Sequence, residues 1–138
     1  MIRRATIEDL PEILALGAEF LAASPSAWIP LSERDFAATV THLIEGQGAI
    51  FLSDDGFIGG MLVPCYFNYA HIFASELFWF ARKEGQQLRE AFEAWGQDLG
   101  ASAATASGLT DDRERAIRRV FGRAGYVPME VGFMKRFI

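Results

Sequence analysis

The sequence predicts an α+β domain (α/β in looser usage), with a mixed, mostly antiparallel sheet of about six or seven strands flanked by about four helices. The first observation is size: 138 residues, 51% of them hydrophobic, can bury one core. The second is Asp55-Gly56 between two apolar runs, a hairpin signal. The third is an apolar strand pattern that changes to helical periodicity after residue 80. We therefore expect one domain over 1–138.

The first fifty residues predict a strand and two helices. Met1–Ala5 is a short strand, and Thr6 begins a helix whose first turn is acidic. Ser32 caps a second helix in the same way. Apolar residues recur at helical spacing in both helices: Ile7, Leu10, Ile13, Leu14, Gly17, Phe20 and Leu21, then Phe36, Val40, Leu43 and Ile44.

An antiparallel meander of three strands is predicted next. Ala49–Leu52 and Phe57–Val63 flank the Asp-Gly turn, and Ile72–Phe80 follows a second turn. The third strand is apolar almost throughout, which indicates that both of its faces are covered. Glu76 is its only carboxylate, and alternation assigns it to the face of Ala74 and Phe78.

A cationic turn, 81–85, joins this strand to a helix. Leu88, Ala91, Phe92, Trp95 and Leu99 form the apolar stripe of the helix, while Arg89, Glu90, Glu93 and Asp98 fill its polar side. The free N–H groups and dipole of a helix start favour anions, and Arg82 and Lys83 add positive charge. The turn is therefore a candidate phosphate site.

The last elements are predicted to be a strand, a helix and a strand. They span Ala101–Ala106, Asp111–Ala124 and Glu130–Phe137. The apolar residues of the helix, Ala116, Ile117, Val120, Phe121 and Ala124, are expected to face inward.

Charge and composition argue against several classes of protein. A net charge of -5 and a pI near 5.0 disfavour nucleic acid or an anionic membrane as partner. The single cysteine, Cys65, has no internal disulfide partner. The N-terminus lacks the apolar run of a signal peptide, and no run reaches the ~18 apolar residues of a membrane span. A cytoplasmic protein is expected.

Several segments together resemble the GNAT superfamily of acyl-CoA-dependent N-acetyltransferases, and the resemblance covers nearly the whole chain. They are IRRATIEDLPEILAL, SDDGFIGGML, ELFWF with its cationic glycine turn, and GRAGYVPMEVGFMKRF. Short members encoded by phages or prophages look nearest over the segment from ELFWF to EAFEAW. The resemblance implies transfer of an acetyl group from acetyl-CoA to a primary amine, without a metal.

The resemblance also implies the site residues. Glu76 is the implied base, acting directly or through a water, and the backbone at Phe78, Trp79 and Phe80 binds the thioester. The turn is implied to bind the cofactor's phosphates through Arg82, Lys83, Gly85, Gln86 and Gln87. Arg113 and Arg118 of the last helix either contact these phosphates or belong to a solvated helix face, as such runs of arginine usually do. A homodimer is a further expectation, because the 12 Phe and three Trp residues exceed what the core needs.

Three positions depart from the family pattern. Lys83 stands where a glycine is usual, Phe121 where a tyrosine acid is common, and Glu114 where an asparagine is frequent. Phenylalanine has no proton to donate. The alternative hypothesis is therefore a GNAT-like module without catalysis that binds CoA or a protein, and a nucleic-acid binder using the arginine helix ranks last.

Other side chains have a structural and a functional interpretation. Glu76 is either a base or a rim residue hydrogen-bonded to a neighbouring turn. His71 is either a base or, preferred, a turn residue. Tyr66, Phe67 and Tyr69 either line an acceptor pocket or, preferred, belong to the core, and Tyr126 either packs or replaces the missing acid. The loop that begins at Ser107 is a candidate groove lining.

Overall fold

The structure, a computed structural model, describes residues 1–108 and 113–138 as two compact units, 1–107 and 108–138. A short 3-10 turn, Ile7–Asp9, precedes the first helix. The elements of the first unit are β1 (Arg3–Arg4), α1 (Leu10–Ala22), α2 (Glu33–Glu45), β2 (Gly48–Leu52), β3 (Gly56–Cys65), β4 (Asn68–Ala81), α3 (Gly85–Asp98) and β5 (Ala103–Thr105). The second unit contains α4 (Glu114–Arg123).

The sheet is mixed and mostly antiparallel, as predicted. Its strands lie in the order β1-β2-β3-β4-β5, and only β4 and β5 pair in parallel. The described residues form five strands, fewer than the six or seven predicted. The long strand β4 begins four residues earlier than its apolar run, because the hairpin with β3 continues to the turn after Cys65.

Two clusters of buried side chains hold the two faces of the sheet. On one face, α1 and α2 contribute Ile13, Leu16, Val40 and Leu43, which pack with Ile50, Leu52, Phe57 and Phe78. On the other face, α3 contributes Leu88, Phe92 and Trp95, which pack with Ala49, Ile58 and Ala74. Most of these apolar positions repeat at the spacing of their element, which is why the sequence predicted them.

A β-bulge in β4 reverses the direction of the side chains that follow it. Gly60 pairs with Glu76 and Gly59 pairs with Phe78, so Leu77 is the extra residue. Ala74 consequently packs towards α3 while Phe78 packs towards α1 and α2. The prediction that Glu76 shares a face with Phe78 is therefore wrong.

The glycine pair in β3 makes room for this bulge. A Cβ on Gly59 would stand 2.3 Å from the Phe78 ring, and a Cβ on Gly60 would stand 2.2 Å from the carbonyl oxygen of Ser75. Glycine within a strand often marks such a close approach of backbone or ring.

In the second unit, the last predicted strand is wrong. The residues 127–138 form no strand, and Phe133 and Phe137 are 94% and 86% exposed. An apolar alternation becomes a strand only where a neighbouring strand accepts its backbone hydrogen bonds.

No residue of α4 is fully buried, although the Phe121 ring contacts Tyr126, with centroids 5.0 Å apart. Two residues of the helix prediction, Asp111 and Asp112, lie outside the described residues.

The aromatic residues of the β3–β4 turn do not belong to the core, contrary to the preferred prediction. Tyr66, Phe67 and Tyr69 are each more than three quarters exposed, and the rings of Tyr66 and Phe67 contact each other. The hairpin here extends beyond Met61, which pairs with Gly48, the first residue of β2, so β2 does not reach this turn.

Replacing Gly60 with alanine should destabilise the protein by about 1–3 kcal/mol, because the backbone of Ser75 cannot move away from the new Cβ as a side chain would. Gly122→Ala is the control: no atom lies within 4 Å of its Cβ, and alanine suits a helix. Urea unfolding measures both variants. Equal stability of Gly60→Ala and wild type would contradict the assignment of the bulge.

Candidate active site

The start of α3 presents three unpaired backbone donors. Leu88 N–H bonds the carbonyl of Glu84 at 3.0 Å, while the N–H groups of Gly85, Gln86 and Gln87 form no hydrogen bond among the described residues. These donors and the positive end of the helix dipole favour an anion. A Cβ at position 85 would lie 3.8 Å from Trp79 and 3.9 Å from Ala81, which are ordinary van der Waals contacts.

The turn before α3 is held by contacts on both sides. Glu84 has a left-handed backbone conformation, with φ of 58°, and its carboxylate lies 3.2 Å from the amino group of Met1. The N–H of Lys83 donates to Asp55 of the β2–β3 turn at 3.3 Å. Left-handed backbone is costly for a residue with a side chain, so the surrounding contacts must hold this turn.

The two cations of the turn have different surroundings. The Arg82 guanidinium donates to Glu19 of α1 at 2.9 Å and stands 5.6 Å from the centre of the Phe80 ring. Its charge is therefore directed to α1. Lys83 has no such partner among the described residues, and its exposed side chain is the cation of the turn that remains available.

The helix α3 buries one cation that the sequence assigned to its polar side. Arg89 is only 6% exposed and forms an ion pair with Glu93, while its buried Nε has no partner among the described residues. The side chain of Gln86 is directed along the helix, where it donates to Glu90 at 2.8 Å. Only the backbone of Gln86 therefore faces the start of the helix.

The pairing of β4 with β5 ends in the middle of β4. Their parallel pairing ends at Ser75 and Thr105, whereas β4 continues to Ala81. From Glu76 onward, the outer edge of β4 has no strand partner among the described residues. The backbone predicted to bind a thioester, Phe78 to Phe80, belongs to this open edge. Its side chains alternate, so that Trp79 lies on the α3 face and Phe78 and Phe80 lie on the opposite face.

Glu76 is the residue of β4 that directly follows the last pair with β5. Its carboxylate accepts the backbone N–H of Ser107 at 3.1 Å and the Ser107 hydroxyl at 3.4 Å. Burial raises the pKa of Glu76 to about 7, although the two hydrogen bonds from Ser107 act in the opposite direction. The site therefore holds a carboxyl group that takes up and releases a proton near neutral pH, which suits a general base.

His71, Arg113 and Arg118 are the other candidates from the sequence. The preferred prediction that His71 is a turn residue is wrong: it lies within β4, where its exposed ring places Nδ1 2.9 Å from the hydroxyl of Ser102. Arg113 and Arg118 belong to the second unit, where Arg118 pairs with Glu114 at 3.0 Å. Of the loop predicted to line a groove, Leu109 and Thr110 lie outside the described residues.

The described residues offer neither a metal site nor a membrane-spanning helix. Among residues 1–108 and 113–138, no group of three or more His, Cys, Asp or Glu side chains could hold a metal ion. Across the same described ranges, every helix is too short or too polar to cross a membrane.

The raised pKa of Glu76 predicts how stability changes with pH. Between its ordinary value of 4.5 and about 7, the folded chain keeps a proton that the unfolded chain loses. This contribution to stability is complete below about pH 4.5 and is lost as the pH rises through 7. Glu76→Gln has no such loss, so its stability relative to wild type should rise by up to about 3 kcal/mol between pH 4.5 and 8. Urea unfolding at both pH values measures this change, and a pH-independent difference would contradict it.

Comparison with known proteins shows which fold this geometry belongs to. Neither a protein-family model nor a curated protein sequence matches the chain. Solved structures do match. A protein of Arthrobacter sp. FB24, provisionally named an acetyltransferase, aligns over 100% of this chain and 92% of its own, with a TM-score of 0.77 and 17% identity.

Two aminoglycoside acetyltransferases match over similar lengths. One, from an uncultured soil metagenomic sample and solved in complex with sisomicin, covers 100% of this chain and 96% of its own, with a TM-score of 0.73 and 16% identity. The other, solved with the bisubstrate analogue CoA-S-monomethyl-acetylneamine, covers 100% and 97%, with a TM-score of 0.71 and 16% identity. The chain therefore has the acetyltransferase fold that its GNAT resemblance implies.

Proposed function

We propose that the protein is an acetyl-CoA-dependent N-acetyltransferase that acts on a primary amine. The observation that carries the proposal is that one strand, β4, connects a carboxyl group of raised pKa at its open edge with the backbone donors of a helix start at its end. The first feature suits proton removal and the second suits a phosphate. The match to acetyltransferase structures supports the same interpretation.

The spacing of the two features fits an acyl-CoA. From Glu76 to Ala81 the strand advances five residues, or roughly 17 Å at about 3.3 Å per residue. That length is comparable to the extended pantetheine arm between the pyrophosphate and the thioester of acetyl-CoA. A cofactor with its pyrophosphate at Gly85, Gln86 and Gln87 would thus bring its thioester near Glu76.

Each group then has a role in acyl transfer. A backbone N–H at the open edge of β4, between Phe78 and Phe80, donates to the thioester carbonyl and stabilises the charge that develops on its oxygen. Glu76, directly or through a water, takes the proton of the incoming ammonium. The amine nitrogen forms the new bond to carbon as the C–S bond breaks. CoA leaves as a thiolate, and the second proton of the nitrogen passes to this thiolate or to solvent. Holding amine and thioester together contributes much of the rate.

The second candidate is a module with this fold that binds CoA or a protein without catalysis. Two observations favour it: Phe121 cannot protonate the leaving thiolate, and Glu19 already holds the guanidinium of Arg82. Binding of CoA without turnover of any amine would distinguish this candidate from the enzyme.

The acceptor, the homodimer and the cytoplasmic location stay predictions, as does the assignment of 1–138 to one domain. The two matching enzymes solved with an aminoglycoside or a bisubstrate analogue suggest amino sugars as the first acceptors to screen, followed by polyamines and amino acids.

Acetyl-CoA and CoA should bind in the micromolar range, and Gly85→Asp should weaken binding at least tenfold, because the new carboxylate occupies the place of a phosphate. Gly85→Asn is the matched control, of equal size without the charge, and should bind more tightly than Gly85→Asp. The Cβ that both substitutions add meets only ordinary van der Waals contacts, the nearest 3.8 Å away. Isothermal titration calorimetry measures the affinities. No binding by wild type would overturn the proposal.

Glu76→Gln should lower kcat by more than tenfold and leave the affinity for CoA unchanged, because the amide cannot accept a proton at neutral pH. In wild type, kcat should rise with pH to half its maximum near pH 7, as the carboxylate becomes ionised. Glu8→Gln, on the exposed turn before α1, is the control. Unchanged kcat in Glu76→Gln would remove Glu76 from the mechanism.

A further inference from the structure

The two donors of Ser107 both bind the same oxygen of Glu76. The backbone N–H and the hydroxyl approach Oε2 at 3.1 and 3.4 Å, while Oε1 accepts no hydrogen bond among the described residues. One carboxylate oxygen is therefore anchored, and the other is left available for proton transfer.

The position of Ser107 follows from the register of the two parallel strands. Phe73, Ala74 and Ser75 pair with Ala103, Ala104 and Thr105, so the same register would set residue 107 opposite residue 77. Residue 77 is the extra residue of the bulge, and regular pairing does not continue there. The Ser107 N–H, which lacks a place in the ladder, is satisfied by the Glu76 side chain instead.

We propose that Ser107 is a positioning residue for Glu76, holding Oε2 at the end of β5 so that Oε1 is directed to the open edge of β4, where the amine reacts. This inference rests on the proposed function, but the contact itself can be tested without substrate. The end of the β4–β5 pairing therefore has two effects: it leaves the edge of β4 open, and it orients the base.

Thr105 and Ser75 supply a matched pair for comparison. Their hydroxyl groups form a hydrogen bond of 3.1 Å between the same two strands, two residues before Ser107, and neither hydroxyl contacts Glu76. A substitution at Ser75 therefore reports the effect of losing one hydroxyl contact between the strands, without the loss of a donor to the carboxylate.

The first readout is the titration of the Glu76 carboxyl carbon, followed by ¹³C NMR in the full chain without substrate. Because the hydroxyl donor favours the ionised form, Ser107→Ala should raise the midpoint by about 0.3–0.5 pH units. Ser107→Thr keeps both donors and should restore the wild-type midpoint, and Ser75→Ala should leave it unchanged. An unchanged midpoint in Ser107→Ala, with Glu76 assigned by Glu76→Gln, would overturn the inference.

The second readout is the pH profile of acetyl transfer. A higher midpoint lowers the ionised fraction at acid pH, so Ser107→Ala should reduce kcat about twofold at pH 6 and hardly at pH 9, with KM unchanged. An equal loss at both pH values would indicate a merely structural role and overturn the inference. If Ser107→Ala shifts the NMR midpoint but the wild type transfers no acetyl group to any amine, the Ser107 contact is supported and the proposed function is overturned.

Discussion

The close approach of Gly59 and Gly60 to β4 is the constraint on which the rest of the candidate site depends. A Cβ at either position would collide with the Phe78 ring or with the backbone of Ser75. With both glycines in place, β4 takes an extra residue, Leu77, and its side chains change faces. The strand can then supply Ala74 to one core and Phe78 to the other, while its outer edge separates from β5.

Charge is distributed along β4 so that its middle and its C-terminal end offer different chemistry. In the middle of the strand, burial holds the pKa of Glu76 near 7 against the hydrogen bonds of Ser107. At its end, backbone donors predominate, because Arg82 pairs with Glu19 and the carboxylate of Glu84 lies beside the amino group of Met1. A turn that depends on backbone N–H groups binds an anion by geometry more than by side-chain charge.

Much of the fold could be predicted because its signals are local. Asp55-Gly56 specified the hairpin, the change from apolar run to helical stripe located the start of α3 near Gly85, and Ser32 marked the start of α2. Each signal depends on residues close together in sequence, whose dihedral preferences and side-chain spacing are intrinsic to the chain. The order of the described elements and the candidate phosphate turn followed from these signals.

By itself, then, the sequence determined which segments form helices and hairpins and that Glu76 lies within a covered strand. Only the tertiary structure decided which face Phe78 takes, what holds Glu76, that Arg89 is buried, and that 130–137 forms no strand. The physical reason is that side chains alternate between the two faces of a strand only while its pairing with the neighbouring strand is unbroken. An extra residue, a donor thirty-one positions away or the lack of a strand partner changes the outcome without changing the pattern.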